Sequence, residues 1–175
     1  KKLNGRVAII PSSNLVKHHS DCEYPFRQDS NFWYLTGFDE PDSIALFLSN
    51  KPKGERYIMF VAPKDIISEV WQGFRFGIEG AEREFKADKA HSIHDFKRLL
   101  PAYIDNSEEI VYSIGKHSKI EKIVLEIFSH QLEASSRTGI GVNSIKSPEI
   151  YLNEMRLIKS DFEINRMREA TQISA

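Results

Sequence analysis

Two wholly apolar five-residue runs, Ile44-Ala45-Leu46-Phe47-Leu48 and Tyr57-Ile58-Met59-Phe60-Val61, constrain this chain more than any other feature. Neither alternates polar with apolar residues, as a strand with one wet face would, so each reads as a strand covered on both sides. Between them Ser49-Asn50-Lys51-Pro52-Lys53-Gly54 supplies turn chemistry, which predicts a hairpin. Arg6–Ile10 is a β-branched run stopped by Pro11-Ser12-Ser13-Asn14, a strand followed by a loop. Trp33–Gly37 and Glu109–Ile114 are predicted as further strands. Ile120, Ile123, Val124, Ile127 and Phe128 recur at helical spacing and form one apolar stripe. Ser92–Leu100 is predicted as a helix that ends at Pro101. Strands alternating with amphipathic helices argue for an α/β layered domain.

Two helix starts lie near the end of the sequence. Ser147-Pro148-Glu149 offers a capping oxygen, a proline at the first helical position and an acid in the first turn. Ser160-Asp161-Phe162-Glu163 is a capping-box pattern. No stop signal precedes Ala175, so the expectation is a fragment whose remaining core lies elsewhere.

Composition excludes several classes. With 24 basic and 25 acidic residues in 175, no global field favours nucleic acid or an anionic membrane. The apolar runs are too short to span a bilayer. Cys22 is the single cysteine, so no intrachain disulfide can form and a reducing compartment is expected. No secretory leader is visible at Lys1, and cytoplasm is the default location.

Self-contained chemistry is not visible. There is no HExxH, no CxxC and no EF-hand loop, and His91-Ser92-Ile93-His94 lacks the further ligands that zinc needs. His18-His19 reads as a solvated loop pair. Cys22 lies near both, but no oxyanion hole accompanies it, and a free cysteine is expected to be a small buried hydrophobe. The glycines at Gly73, Gly77, Gly139 and Gly141 lack the phosphate-loop lysine.

Two stretches are unusual for scaffolding. Residues 21–34 carry five aromatics among alternating charges in a turn-rich region. Either the loop binds something, with Arg27 and the carboxylates orienting polar groups, or its rings plug the core edge while Arg27 pairs with an acid. Glu69-Val70-Trp71-Gln72-Gly73-Phe74-Arg75 repeats the aromatic and basic mixture in a glycine-bearing loop.

These stretches carry a resemblance. Asp21-x-Glu23-Tyr24-Pro25-Phe26-Arg27-Gln28-x-Ser30-x-Phe32-Trp33-Tyr34-Leu35-Thr36-Gly37-Phe38-x-Glu40-Pro41 is similar to the signature of bacterial and mitochondrial aminopeptidase P amino-terminal domains. Glu69-Val70-Trp71-x-Gly73, with Arg75 and Gly77, resembles their second motif. Glu154-Met155-Arg156-Leu157-Ile158-Lys159-Ser160, with Glu163-Ile164, looks like the junction with their catalytic domain.

The resemblance implies a creatinase/prolidase amino-terminal fold: a mixed, roughly six-stranded sheet flanked by helices, related to ribonuclease H. It implies a domain over 1–146, then a linker helix and the first helix of a pita-bread catalytic domain over 147–175. The full enzymes are Xaa-Pro aminopeptidases acting on peptides with proline at the second position. Their two manganese ions are held by ligands that would lie beyond Ala175, so no catalytic or metal residue is expected within this chain. Homo-oligomers are implied, in which this domain lends side chains to a neighbour's substrate site. Trp71, Asp21 and Arg137 match those substrate-binding positions. An indole wall suits a proline ring, and an Asp–Arg pair suits a charged amino terminus.

The rival reading is a creatinase-like protein-interaction module without peptidase activity. A ribonuclease H-like nuclease needs carboxylates on central strands, and Ile44–Leu48 and Tyr57–Val61 carry none.

Overall fold

The computed structural model describes residues 5–65, 69–70, 73–139 and 141–174. β1 (Arg6–Pro11), β4 (Ile44–Leu48), β5 (Tyr57–Val61), β6 (Lys89–Ser92), β7 (Glu109–Val111) and β8 (Ser144–Lys146) form one sheet in the order β6-β5-β4-β1-β7-β8. β1, β4 and β5 pair antiparallel, and the remaining neighbours are parallel. The sheet is therefore mixed and six-stranded, as expected. β2 (Lys17–His19) and β3 (Cys22–Glu23) make a separate two-stranded ribbon.

The predicted hairpin is observed, with β5 and β4 standing second and third in the sheet order. Leu46 faces Ile58 across the β4–β5 ladder, and the rings of Phe47 and Tyr57 stack with centroids 5.0 Å apart. Successive residues feed opposite faces, because side chains alternate along a strand. Val7, Ile9, Leu46, Ile58 and Phe60 enter one core, against the helices α3 (Phe96–Ile104) and α4 (Ser118–Thr138). Ala8, Ile10, Ala45, Met59 and Val61 enter the other, against α1 (Ser30–Thr36) and α2 (Gly77–Arg83). Helices on both faces explain why neither strand shows alternation.

Three expectations need correction. Trp33–Gly37 lies in and just beyond α1 and is not a strand. Asp29 caps that helix, its carboxylate accepting from the Asn31 and Phe32 amides at 2.9 Å each, and Gly37 closes it at φ 66°. The aromatic run favours a strand only by propensity, whereas Phe32 and Leu35, three apart, both reach the core as a helix. Pro101 does not end its helix, which continues to Ile104. Leu100 and Ile104 are both fully buried, and their burial offsets the one amide that proline cannot donate. Cys22 is exposed, because neither face of the small ribbon is covered.

Gly37 carries a local test. A Cβ there would meet nothing within 4 Å, so only the left-handed backbone resists substitution. Gly37→Ala should cost about 1 kcal/mol. A urea midpoint equal to that of the parent would refute the cap assignment.

Candidate functional site

The first sequence block folds as a hub, and the residue at its centre is Gln28. Arg27 beside it is exposed, while Gln28 is buried. All four hydrogen-bonding positions of the Gln28 amide are used. Oε1 accepts from the Ser13 and Asp29 amides, both at 2.8 Å. Nε2 donates to the carbonyls of Phe38 and Glu40 at 3.1 and 3.0 Å. One side chain thus ties the exit of β1, the start of α1 and the loop after α1 together. Of the rings in this block, Phe32 is buried while Tyr24 and Trp33 remain about half exposed.

Glu40 carries the hub to the second block. Its Oε1 accepts from the Phe76 amide at 2.7 Å, and its Oε2 lies 4.0 Å from Nη1 of the buried Arg75. Burial pushes the Glu40 carboxyl above its ordinary range, against the Phe76 hydrogen bond and the Arg75 charge, which favour the ionised form. The Arg75 amide in turn donates to Glu69 Oε1 at 3.0 Å.

Arg156 carries the hub to the third block. It lies on α5 (Glu149–Leu157), donates to Asn31 Oδ1 at 2.9 Å, and sits 5.3 Å from the centroid of the Tyr34 ring. Beyond α5, α6 (Asp161–Ser174) opens with the capping box read from the sequence: the Ser160 amide donates to Glu163, and the Glu163 amide to Ser160. Between this corner and α1 lies an open cleft of about 770 Å³, with Arg27, Trp33, Arg156 and Phe162 on its walls. It combines charges of both signs, Asp39 and Glu163 beside the two arginines, with exposed rings, a surface suited to a partly charged, partly apolar occupant.

The three substrate-site candidates are distributed differently. Asp21 is exposed in the turn between β2 and β3. Arg137 is exposed in the last turn of α4. Among the described residues neither enters an ion pair, so the fold does not close an Asp21–Arg137 pair within one chain. Trp71 lies outside the described residues. The paired histidines do not act together: His91 Nε2 lies 2.6 Å from the Tyr103 hydroxyl, while His94 is exposed. Among the described residues no group of three or more His, Cys, Asp and Glu side chains could hold a metal ion, and no helix is long and apolar enough to cross a membrane.

Sequence reasoning singled out Arg27 and missed Gln28 and Glu40. Their one advance signal was membership of the first block.

Comparison with known proteins bears on these blocks directly. The family model described as aminopeptidase P, N-terminal domain, matches residues 1–112. The chain is 37% identical over 169 residues to the Xaa-Pro aminopeptidase of Haemophilus influenzae, covering 96% of this chain and 36% of that protein. The solved structure of aminopeptidase PepP from Pseudomonas aeruginosa superposes with a TM-score of 0.87 at 30% identity, over 98% of this chain and 38% of the other. A zinc-substituted Escherichia coli aminopeptidase P in complex with product gives 0.86 at 28% identity, over 97% and 38%. The chain therefore spans little more than a third of the relatives it matches.

Proposed function

Because this chain belongs to the aminopeptidase P amino-terminal domain family, we propose that it is the non-catalytic domain of an Xaa-Pro aminopeptidase, shaping its substrate site and its subunit contacts. The observation that carries the reading is the convergence of three sequence blocks on one hub. Gln28 and Glu40 hold the second block through Phe76 and Arg75, and Asn31 and Tyr34 hold the third through Arg156. A merely space-filling domain needs no such polar tie between segments that are far apart in sequence.

A two-manganese centre does not fit the side chains described here, so no step of peptide hydrolysis is assigned to them. In this proposal the chain's own residues bind and orient. Asp21, exposed at the ribbon tip, meets a cationic amino terminus. Trp71 walls a proline ring, and Arg137 pairs with an Asp21 side chain to gate the substrate's charged amino terminus. In this reading a neighbouring subunit completes the site.

The test uses a full-length protein carrying this chain, manganese, and peptides beginning Xaa-Pro. Release of the first residue is expected, whereas the 175 residues alone should release none. Replacing Trp71 with Ala removes a ring contact of about 1 kcal/mol, which raises KM about fivefold with kcat held. A variant that melts earlier but shows parental kinetics would place Trp71 in the core and overturn its assignment.

A further inference from the structure

We propose that His117 holds one buried, long-lived water molecule, which ties the cap of α1 to the loop that opens α4. The inference does not depend on the peptidase reading above.

His117 stands at the N-cap of α4, yet its side chain makes no capping bond in that helix. Its Nδ1 is buried, and no group among the described residues hydrogen-bonds to it. A buried ring nitrogen without a partner forfeits the hydrogen bond that solvent would give it, so such atoms are nearly always served, by protein or by ordered water. The ring borders a cavity of about 20 Å³. Ile9 and Leu152 give this cavity an apolar floor, and Asp29, Asn31 and Ser113 give it polar walls. A water needs about 10–15 Å³ of such space and two to four polar partners, whereas a purely apolar cavity stays dry.

The polar walls have capacity to spare. Asp29 receives the Asn31 and Phe32 amides through Oδ1, which leaves its second oxygen to accept. Asn31 spends its side-chain oxygen on Arg156, which leaves its side-chain nitrogen to donate. The Ser113 hydroxyl reaches Glu149 at a long 3.4 Å, and Lys116, also beside the cavity, pairs with the same carboxylate at 3.0 Å. Burial holds the His117 ring below its ordinary pKa, aided by the Lys116 charge and opposed by that of Asp29. Near neutral pH the ring is therefore uncharged, with one nitrogen donating and the other accepting. A water serves Nδ1 in either tautomer, accepting from an N–H or donating to a lone pair, whereas an ion could serve only one. Because Asp29 follows Gln28 directly, this water extends the hub of the first block to the connection between β7 and α4.

A crystal structure of the protein that resolves ordered water should show one peak about 2.7–3.2 Å from Nδ1 and within the same reach of Asp29, Asn31 or Ser113. In solution, water–protein NOE spectra should give the His117 ring and the Asn31 side-chain amide cross-peaks with the sign of a bound water. His117→Asn places a polar atom near the Nδ1 position, so it should keep the Asn31 cross-peak. His117→Leu should lose it, and amide exchange at Asn31 and Phe32 should accelerate about tenfold while Ala45–Leu48 exchange as in the parent. The parent spectra decide the question even where His117→Leu folds poorly. A protein group or an ion on Nδ1 in place of water, no water cross-peak in the parent, or His117→Asn behaving as His117→Leu would each overturn the proposal.

Discussion

Gln28→Ala is expected to destabilise this chain by about 3–5 kcal/mol, because it strands several buried polar groups at once. The amides of Ser13 and Asp29 lose their acceptor, and the carbonyls of Phe38 and Glu40 lose their donor. Water entering the gap will serve some of them, which keeps the loss below the sum of four separate orphans. Gln28→Glu is the sharper variant. It preserves size and both acceptor bonds, but it sets a carboxylate oxygen against two carbonyl oxygens. Only its protonated form can donate, so its folded-state pKa must rise above the unfolded value of about 4.3. A group with a raised acid pKa costs stability as pH rises above the unfolded value. The deficit of Gln28→Glu relative to the parent should therefore be large at neutral pH and shrink as pH falls toward 4. Urea unfolding of parent and variant at both pH values measures it. A variant as stable as the parent at neutral pH would mean that the amide nitrogen does not face those carbonyls.

The second large effect is expected at Glu109, a buried carboxylate on β7. Oε1 meets Arg6 Nε at 2.6 Å and the Tyr151 hydroxyl at 3.3 Å, while Oε2 meets Lys146 Nζ at 2.8 Å and the Ser144 hydroxyl at 3.2 Å. It thereby joins β1, β7, β8 and α5 at one point. Glu109→Ala should cost about 2–4 kcal/mol, below the full cost of breaking a buried pair because Arg6 and Lys146 retain some access to water. Burial alone would push this carboxyl up, but hydrogen bonds from Lys146 and Ser144, with the charges of Arg6 and Lys146, hold it below the ordinary value. For an acid depressed in the folded state, the stabilisation is complete above the unfolded pKa and is lost as pH falls through the folded one. Stability from this group should be flat from pH 7 to about 5 and decline below about pH 4. Glu126, Glu149 and Glu163 are also depressed and add to the acid slope of the parent. The difference between parent and Glu109→Gln isolates the contribution of Glu109, and parallel stability–pH curves for the two would contradict the assignment.

Much of this protein was legible before folding, where the signal was local. The uninterrupted runs at Ile44–Leu48 and Tyr57–Val61 announced strands covered on both faces, and the stripe from Ile120 to Phe128 announced the helix whose Val124 and Ile127 are buried. The capping box at Ser160 could be read from residues three apart, since both partners lie within one helical turn. The three blocks identified the family. What no local pattern contained was partnership at a distance. Ser13 finds Gln28 across 15 residues, and Phe76 finds Glu40 across 36. The short edge strands β6 and β8 exist because a neighbour offers backbone partners, not because Lys89–Ser92 or Ser144–Lys146 looks like a strand. The same holds for the run at Trp33: its rings favour a strand, and burial of Phe32 and Leu35 under a capped turn makes it a helix. Sequence determined the periodicities of β4, β5 and α4, the helix starts at Ser147 and Ser160, and the family, because those depend on neighbours along the chain. The tertiary structure alone decided which polar side chains would be buried and whom they would serve, because a buried amide or carboxylate is stable only where the fold brings it a partner.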